Sequence, residues 1–229
     1  MKSLVLSIFP GIGILDKGFE EEGYCIVRGP DKIWGGDIKM FHPPAGVFEG
    51  IIGGPPCQLF SKTRSFNPHA SKWGNLIPEF ERVVYEAQPS WFVMENVRTA
   101  PIPSVDGYQI DGRIFNNRWL GEVQNRVHRF SFGTRNGAKL YWEEAAFLNP
   151  EKDTRLLASD GRRGLQNDKK GHRGRSPKQA LELQGLPVDY LDHCPFTSRA
   201  KVEVLGNAVP LPMARALARA VKKARNNGF

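Results

Sequence analysis

Val47-Phe48-Glu49-Gly50-Ile51-Ile52-Gly53-Gly54-Pro55-Pro56-Cys57-Gln58 is the stretch on which the reading of this chain turns. An apolar run long enough for one buried strand ends in two glycines, and two prolines then stiffen the turn that carries a cysteine. The carboxyl end of a strand is where open α/β sheets place their ligands. Two readings of Cys57 stand at this point: a structural thiol in a proline-rich loop, or a nucleophile presented at a strand end. Its company along the chain has to separate them.

On the N-terminal side, residues 3–8 are almost all apolar, as a central parallel strand is. Phe9-Pro10-Gly11-Ile12-Gly13 then forms a glycine-rich turn, and Leu15 and Phe19 set against Lys17, Glu20, Glu21 and Glu22 mark an amphipathic helix. Such a turn lets backbone amides and a helix N-terminus approach a ligand, although glycines also simply make turns. Tyr24-Cys25-Ile26-Val27 reads as a second strand with Cys25 in the core. The step from there to Gly35-Gly36-Asp37-Ile38 is too short for a full crossover helix.

On the C-terminal side, residues 59–74 are polar, basic and aromatic and read as a long mobile loop, either functional or disordered. Leu76 to Ala87 has helical spacing, and Pro89-Ser90-Trp91-Phe92-Val93-Met94 is a buried strand that ends in Glu95-Asn96-Val97. A carboxylate at the end of a core strand is costly to bury unless it is used; the other reading is a capped loop. Residues 99–122 read as an irregular connection. From Arg126 the chain alternates as a strand with one basic face, and Ala138 to Trp142 is placed to pair with it. Residues 149–175 are glycine-rich and basic, either an inserted arm or a solvated loop. Ser176-Pro177 starts a helix as N-cap and first helical residue, and a final helix is predicted from Leu211 to Ala224.

Composition narrows the classes. A chain of 229 residues can bury a proper core and fits one domain with a small appendage. No apolar run approaches the roughly 20 residues of a membrane span, and the N-terminal stretch is too short for a secretory signal. Three widely separated cysteines (Cys25, Cys57, Cys194) speak against a disulfide framework and for a reducing, cytoplasmic setting. His193-Cys194 is the only adjacent pair of soft ligands, so no metal is expected. A net charge of +8 fits a polyanionic partner.

Taken together the motifs resemble, in family order, those of the cytosine-5 DNA methyltransferases. Phe9-Pro10-Gly11-Ile12-Gly13 is similar to the family's Phe-x-Gly-x-Gly cofactor turn, and Gly36-Asp37-Ile38 to its Gly-Asp-Ile step. Pro55-Pro56-Cys57-Gln58 resembles the nucleophile motif, Glu95-Asn96-Val97 the Glu-Asn-Val motif, and Gln124-Asn125-Arg126 the start of the Gln-x-Arg-x-Arg strand. Ser176-Pro177-Lys178-Gln179 with Gln184-Gly185-Leu186-Pro187, and Gly206-Asn207-Ala208-Val209-Pro210, complete the set.

The resemblance implies a Rossmann-like α/β fold, a three-layer αβα mixed sheet with a small basic recognition subdomain. Residues 1–133 would be the catalytic and cofactor-binding core, 134–175 a reduced target-recognition arm, and 176–229 a C-terminal part returning a helix to the core. It implies S-adenosylmethionine as cofactor, with S-adenosylhomocysteine as product, held by Phe9, Gly11, Ile12, Gly13, Asp31, Asp37, Ile38, Pro55, Leu76, Asn207, Ala208 and Val209. Cys57 would add to carbon 6 of an extruded cytosine, Glu95 would serve ring nitrogen 3, and Arg126 would fix the base and help keep the thiol ionised. Double-stranded DNA would be the partner of a monomer. Its contacts would be Gln58, Ser61, Arg64 and Lys72 near the nucleophile, and Arg162, Arg163, Lys169, Arg173 and Arg175 on the arm. A compact chain of this kind fits a phage or mobile-element source. The same fold acting on tRNA, and a weakly active DNA-binding module, are the other readings.

Four departures from the family pattern carry expectations. The acidic residue that binds the ribose hydroxyls has no direct counterpart, since Gly29 falls there and Asp31 is the substitute. The segment before Gly36-Asp37 lacks its usual helix. The second arginine of Gln-x-Arg-x-Arg falls on His128, so His128 faces the site and Arg129, one residue on, faces away. The arm is short and offers few base-edge contacts, which predicts a target of about two to three base pairs.

Overall fold

The computed structural model describes residues 4–60, 74–143, 156–160 and 174–228. Six strands form one sheet: β1 (Leu4–Ile8), β2 (Cys25–Arg28), β3 (Gly50–Gly53), β4 (Trp91–Asn96), β5 (Gln109–Asn116) and β6 (Val127–Thr134). Their order across the sheet is β2-β1-β3-β4-β6-β5. The first four run parallel, β6 runs antiparallel to β4, and β5 antiparallel to β6. The helices are α1 (Ile14–Glu21), α2 (Ile77–Ala87), α3 (Pro177–Leu183), α4 (Ser198–Asn207) and α5 (Leu211–Asn226). This is the three-layer αβα mixed sheet of the Rossmann-like methyltransferases.

The layers follow from period-two alternation. Val5, Ile52, Trp91, Val93, Phe130 and Phe132 pack with Phe19 of α1 and Met213, Leu217 and Val221 of α5. The alternate residues Leu6, Ile8, Ile51, Phe92 and Met94 pack with Phe80, Val83 and Val84 of α2. Strands covered on both faces must be apolar throughout, which is why β1, β3 and β4 are legible as unbroken runs. A third cluster joins Ile14 to Leu156, Leu181, Val202, Leu205 and Leu211, around the end of the sheet where β1 turns into α1.

Local signals account for several boundaries. Ser176 caps α3 with a full capping box, its hydroxyl accepting from the Gln179 amide while the Gln179 side chain accepts from the Ser176 amide. Between β2 and β3 there are only two short 3-10 turns, Lys32–Trp34 and Ile38–Met40, in place of a crossover helix.

Three expectations need correction. Cys25 is exposed, not core, because β2 is an edge strand with one thinly covered face. Residues 109–116 are not irregular but form β5; Phe115 is its only fully buried residue, so the strand carries almost no apolar alternation. Ala138 to Trp142 does not pair with β6, whose partners are β4 and β5. It runs over the edge of the core instead, with Leu140 buried, Lys139 and Tyr141 exposed, and Trp142 stacked on Phe115 at 4.2 Å between ring centroids. Among the described residues no helix is long and apolar enough to cross a membrane.

Candidate functional site

The chain leaves β3 at Gly53, in register with Met94, so the Gly-Pro-Pro-Cys turn runs beside Glu95 and Asn96 at the carboxyl end of β4. Buried Asn96 donates its side-chain amide to the Pro55 carbonyl at 3.0 Å and accepts from the Val97 amide at 2.8 Å. That pair ties the proline turn to the strand end. A side chain on Gly54 would come within 2.7 Å of Glu95 Oε2, so this glycine is required for close approach of the carboxylate. The Phe60 amide closes the turn after the cysteine by donating to the Cys57 carbonyl at 2.9 Å. Gln58 follows on the exposed side.

Glu95 pairs in register with Phe130 of β6, and Arg126 and His128 share that face by alternation. His128 is buried and bonds Glu95 Oε1 through Nδ1. Arg126 donates from Nε to His128 Nε2 at 2.9 Å, from Nη1 to the Leu156 carbonyl at 2.7 Å, and from Nη2 to the Gly206 carbonyl at 2.7 Å. Arg129 turns away and donates to the Ala100 carbonyl. One face of β6 thus carries the site, and the other carries a structural arginine.

The electrostatics correct one expectation. Arg126 is expected to help keep the Cys57 thiol ionised, and it does act in that direction. Burial and then the nearby Glu95 charge push the thiol up to about 11, and the opposing Arg126 guanidinium does not offset them. Cys57 in this state is a protonated thiol at neutral pH. Burial also holds the Arg126 pKa below its ordinary value, against the pull of Glu95 and Cys57.

The turn after β1 lies at the same end of the sheet. Phe9, Gly11 and Gly13 all have positive φ (55°, 56° and 76°), a conformation that strains the non-glycine Phe9 and that Gly11 and Gly13 adopt freely. Asp31 accepts from the Gly11 amide at Oδ2 and from the Ile33 amide at Oδ1, both at 2.8 Å. Trp34 donates its indole N–H to the Gly11 carbonyl at 2.7 Å and packs on Phe196, and the Tyr190 hydroxyl donates to the Ile12 carbonyl at 2.9 Å. Asp37 caps the next turn at the Lys39 amide and pairs with Lys32 at 2.6 Å, whose bond holds its carboxyl below the usual range. Ile38, Pro55, Leu76 and Val209 are buried, Ala208 is partly covered and Asn207 is exposed at the end of α4.

The donor set fits a charged amino-acid nucleoside. The α1 N-terminus has no side-chain cap, so its first amides remain for an anionic group, and nothing stands within 4 Å of where a Gly11 side chain would go. Asp31 and Asp37 place carboxylates past the turn. Among the described residues there is no group of three potential metal ligands.

One residue of this region escaped the sequence reading, and two motif glutamines have roles it did not show. Asp16 is fully buried in α1, accepting from Ser7 Oγ at 2.5 Å and from Arg28 Nε at 2.8 Å, and burial raises its pKa. The signal available was a lone acid on the apolar face of an amphipathic helix. Gln124 donates to the Leu183 carbonyl at 2.6 Å and accepts from the Leu156 amide at 3.4 Å, while Gln184 donates to the carbonyls of Leu205 and Ala208. These buried amides join three segments behind Arg126. Residues 156–160, inside the expected arm, are therefore seated on the core, with Arg175 Nε 3.7 Å from Asp160. Ser61, Arg64, Lys72, Arg162, Arg163, Lys169 and Arg173 lie outside the described residues.

A family model described as C-5 cytosine-specific DNA methylase matches residues 31–100. The chain is 28% identical over 182 residues to the type II methyltransferase M.FnuDI of Fusobacterium nucleatum, covering 67% of this chain and 53% of that protein. It is 31% identical over 121 residues to the type II methyltransferase M.HgiGI of Herpetosiphon aurantiacus, covering 44% of this chain and 94% of that protein. It spans about half the length of curated relatives such as M.FnuDI. A solved E. coli prophage protein described as a DNA modification methyltransferase superposes with a TM-score of 0.68 at 16% identity, covering 98% of this chain and 100% of that one. That likeness speaks to the fold.

Proposed function

The chain belongs to the C-5 cytosine-specific DNA methylases, and we propose that it methylates carbon 5 of a cytosine extruded from duplex DNA through a covalent Cys57 adduct. The observation that carries this reading is the junction of β3 and β4. It brings Cys57 and Glu95 close enough for the carboxylate to raise the thiol pKa, with Arg126 opposing it from the next strand. A thiol, a carboxylate and a fixed cation at one strand end supply a nucleophile, a proton carrier and a positive charge.

The family's methyl donor is S-adenosylmethionine, which when bound supplies an electrophilic methyl group on sulfur. The Phe9-to-Gly13 turn and the uncapped α1 N-terminus would hold its amino-acid end, and Asp31, Asp37 and Ile38 its adenosine end. Pro55, Leu76, Asn207, Ala208 and Val209 would complete the pocket. Cys57 gives its proton to the Glu95 carboxylate and its sulfur bonds to carbon 6. The 5,6 double bond opens, and its electron pair is shared between carbon 5 and the ring, where Glu95 gives a proton to nitrogen 3. Carbon 5 takes the methyl group. Loss of the carbon 5 proton to a base and return of the nitrogen 3 proton to Glu95 then re-form the double bond and expel Cys57.

Because burial keeps the thiol protonated, ionisation is best coupled to base entry, which brings polar groups beside Cys57. Gln58 would touch DNA beside the nucleophile, and the basic stretches at 59–74 and 161–175 would meet phosphates. Tritiated-methyl transfer to duplex DNA and to tRNA tests the reading. The expected result is label on DNA as 5-methylcytosine. Label confined to tRNA would support the RNA reading, and label on neither would support a binding module.

A further inference from the structure

His128 stands where the family pattern has an arginine, and its two hydrogen bonds are assigned by its partners. An arginine Nε always carries a hydrogen, so the 2.9 Å contact from Arg126 makes His128 Nε2 the acceptor. The ring hydrogen then sits on Nδ1, which faces Glu95 Oε1. A flipped ring would put carbons at both contacts and lose both bonds. The residue is 4% exposed and has Phe130 beside it, with ring centroids 6.4 Å apart, so a flip gains no bond to water in exchange.

An arginine at position 128 could not do this, because it has no acceptor and would set a second cation against Arg126. Arg126 in turn cannot drift, since Nη1 and Nη2 are fixed on the carbonyls of Leu156 and Gly206. Its Nε direction is therefore set by backbone on two sides. Glu95 is held at Oε1 and lies with Oε2 over Gly54, the residue that leads into the nucleophile turn.

We infer that His128 is a positioning residue for Glu95. It relays the fixed direction of Arg126 into an N–H aimed at Oε1, and so reserves Oε2 for the base. The consequence for catalysis rests on the methyl-transfer reading above; the tautomer does not. Histidine in place of the second arginine is thus a working substitute that fits this chain's own arrangement, not a lost contact.

Two experiments test it. Long-range proton–nitrogen-15 correlation on the full chain labelled at histidine reads the tautomer without any need for activity. The hydrogen is expected on Nδ1 of His128, identified by its loss in His128→Asn; a hydrogen on Nε2 would overturn the inference. The second experiment compares variants in methyl transfer to duplex DNA. His128→Asn places its amide N–H at the Nδ1 position, whereas His128→Gln places its amide near the Nε2 position, beyond reach of the Nδ1 contact. Asn is expected to retain kcat within about tenfold of the parent, and Gln and His128→Arg to lose about a hundredfold, with KM for DNA little changed. Gln matching or exceeding Asn, restoration by Arg, or losses confined to KM would each overturn it. A parent chain that transfers no methyl group would sink the functional reading and leave the tautomer measurement to decide the inference.

Discussion

Glu95 has two opposed effects on the nucleophile, and removing its charge separates them. Burial and Glu95 together raise the Cys57 pKa from 9.0 to about 11, a rise of about two units. At pH 8 that leaves about one thiol in a thousand ionised, about a hundredfold less than at the unshifted value. Glu95→Gln keeps the side-chain size and deletes the negative charge, the second cause of the rise. The pKa is expected to fall, making Cys57 more reactive at pH 8, while methyl transfer falls because the nitrogen 3 proton carrier is gone.

Pulsed iodoacetamide alkylation followed by peptide mass spectrometry measures this, with exposed Cys25 as the reference thiol in the same molecule. In the parent chain Cys25 should alkylate first and Cys57 should lag until the pH nears 11. In Glu95→Gln the Cys57 curve should move to lower pH and the Cys25 curve should stay. A Cys57 curve that is unmoved or moves upward would refute the electrostatic account. The same shift bears on stability. The folded state keeps the Cys57 proton longer than the unfolded chain, so the contribution is complete below about pH 9 and is lost as pH rises towards 11. The loss is of order 2–3 kcal/mol and should be absent from the denaturation profile of Cys57→Ala.

Gly54→Ala puts a methyl group 2.7 Å from Glu95 Oε2 and should lower kcat about a hundredfold with DNA binding intact, as steady-state kinetics would read. Arg82 donates to the carbonyls of Ile38 at 2.8 Å and Phe41 at 3.1 Å while pairing with Glu79 and Glu86. Arg82→Ala should therefore loosen the turn after Asp37 and weaken S-adenosylmethionine binding about tenfold by calorimetry; an unchanged affinity would remove Asp37 and Ile38 from the pocket. Bisulfite sequencing of exposed DNA should show methylation in contexts of about two to three base pairs, and one long strict motif would contradict a small reading surface.

The parts of the fold that could be read in the sequence are those where one physical signal dominates. β1, β3 and β4 are covered on both faces, so their apolar runs have one reading, and Ser176-Pro177 announces α3 by capping chemistry. Alternation alone put Arg126 and His128 on the Glu95 side of β6 and Arg129 on the other. β5 was missed because an edge strand with one buried residue has no alternation to detect, and Cys25 was misplaced because nothing local says that β2 lies at the edge. The Leu156–Asp160 anchor was hidden between basic, glycine-rich stretches, and its seat depends on the Gln124 and Arg126 side chains, which only the fold brings to the Leu156 amide and carbonyl. Charge order was legible and charge balance was not. The presence of Arg126 near Cys57 could be expected, but the dominance of burial over it is a property of the packed site.

The central claim is that Cys57 bonds to the base it activates. Duplex DNA carrying 5-fluorocytosine, incubated with the chain and S-adenosylmethionine, blocks the last proton loss and should trap that bond. The account predicts a complex that survives denaturing electrophoresis, a peptide mass that locates the adduct on Cys57, and loss of both in Cys57→Ala. Methyl transfer that persists in Cys57→Ala, or an adduct on Cys25 or Cys194, would contradict it.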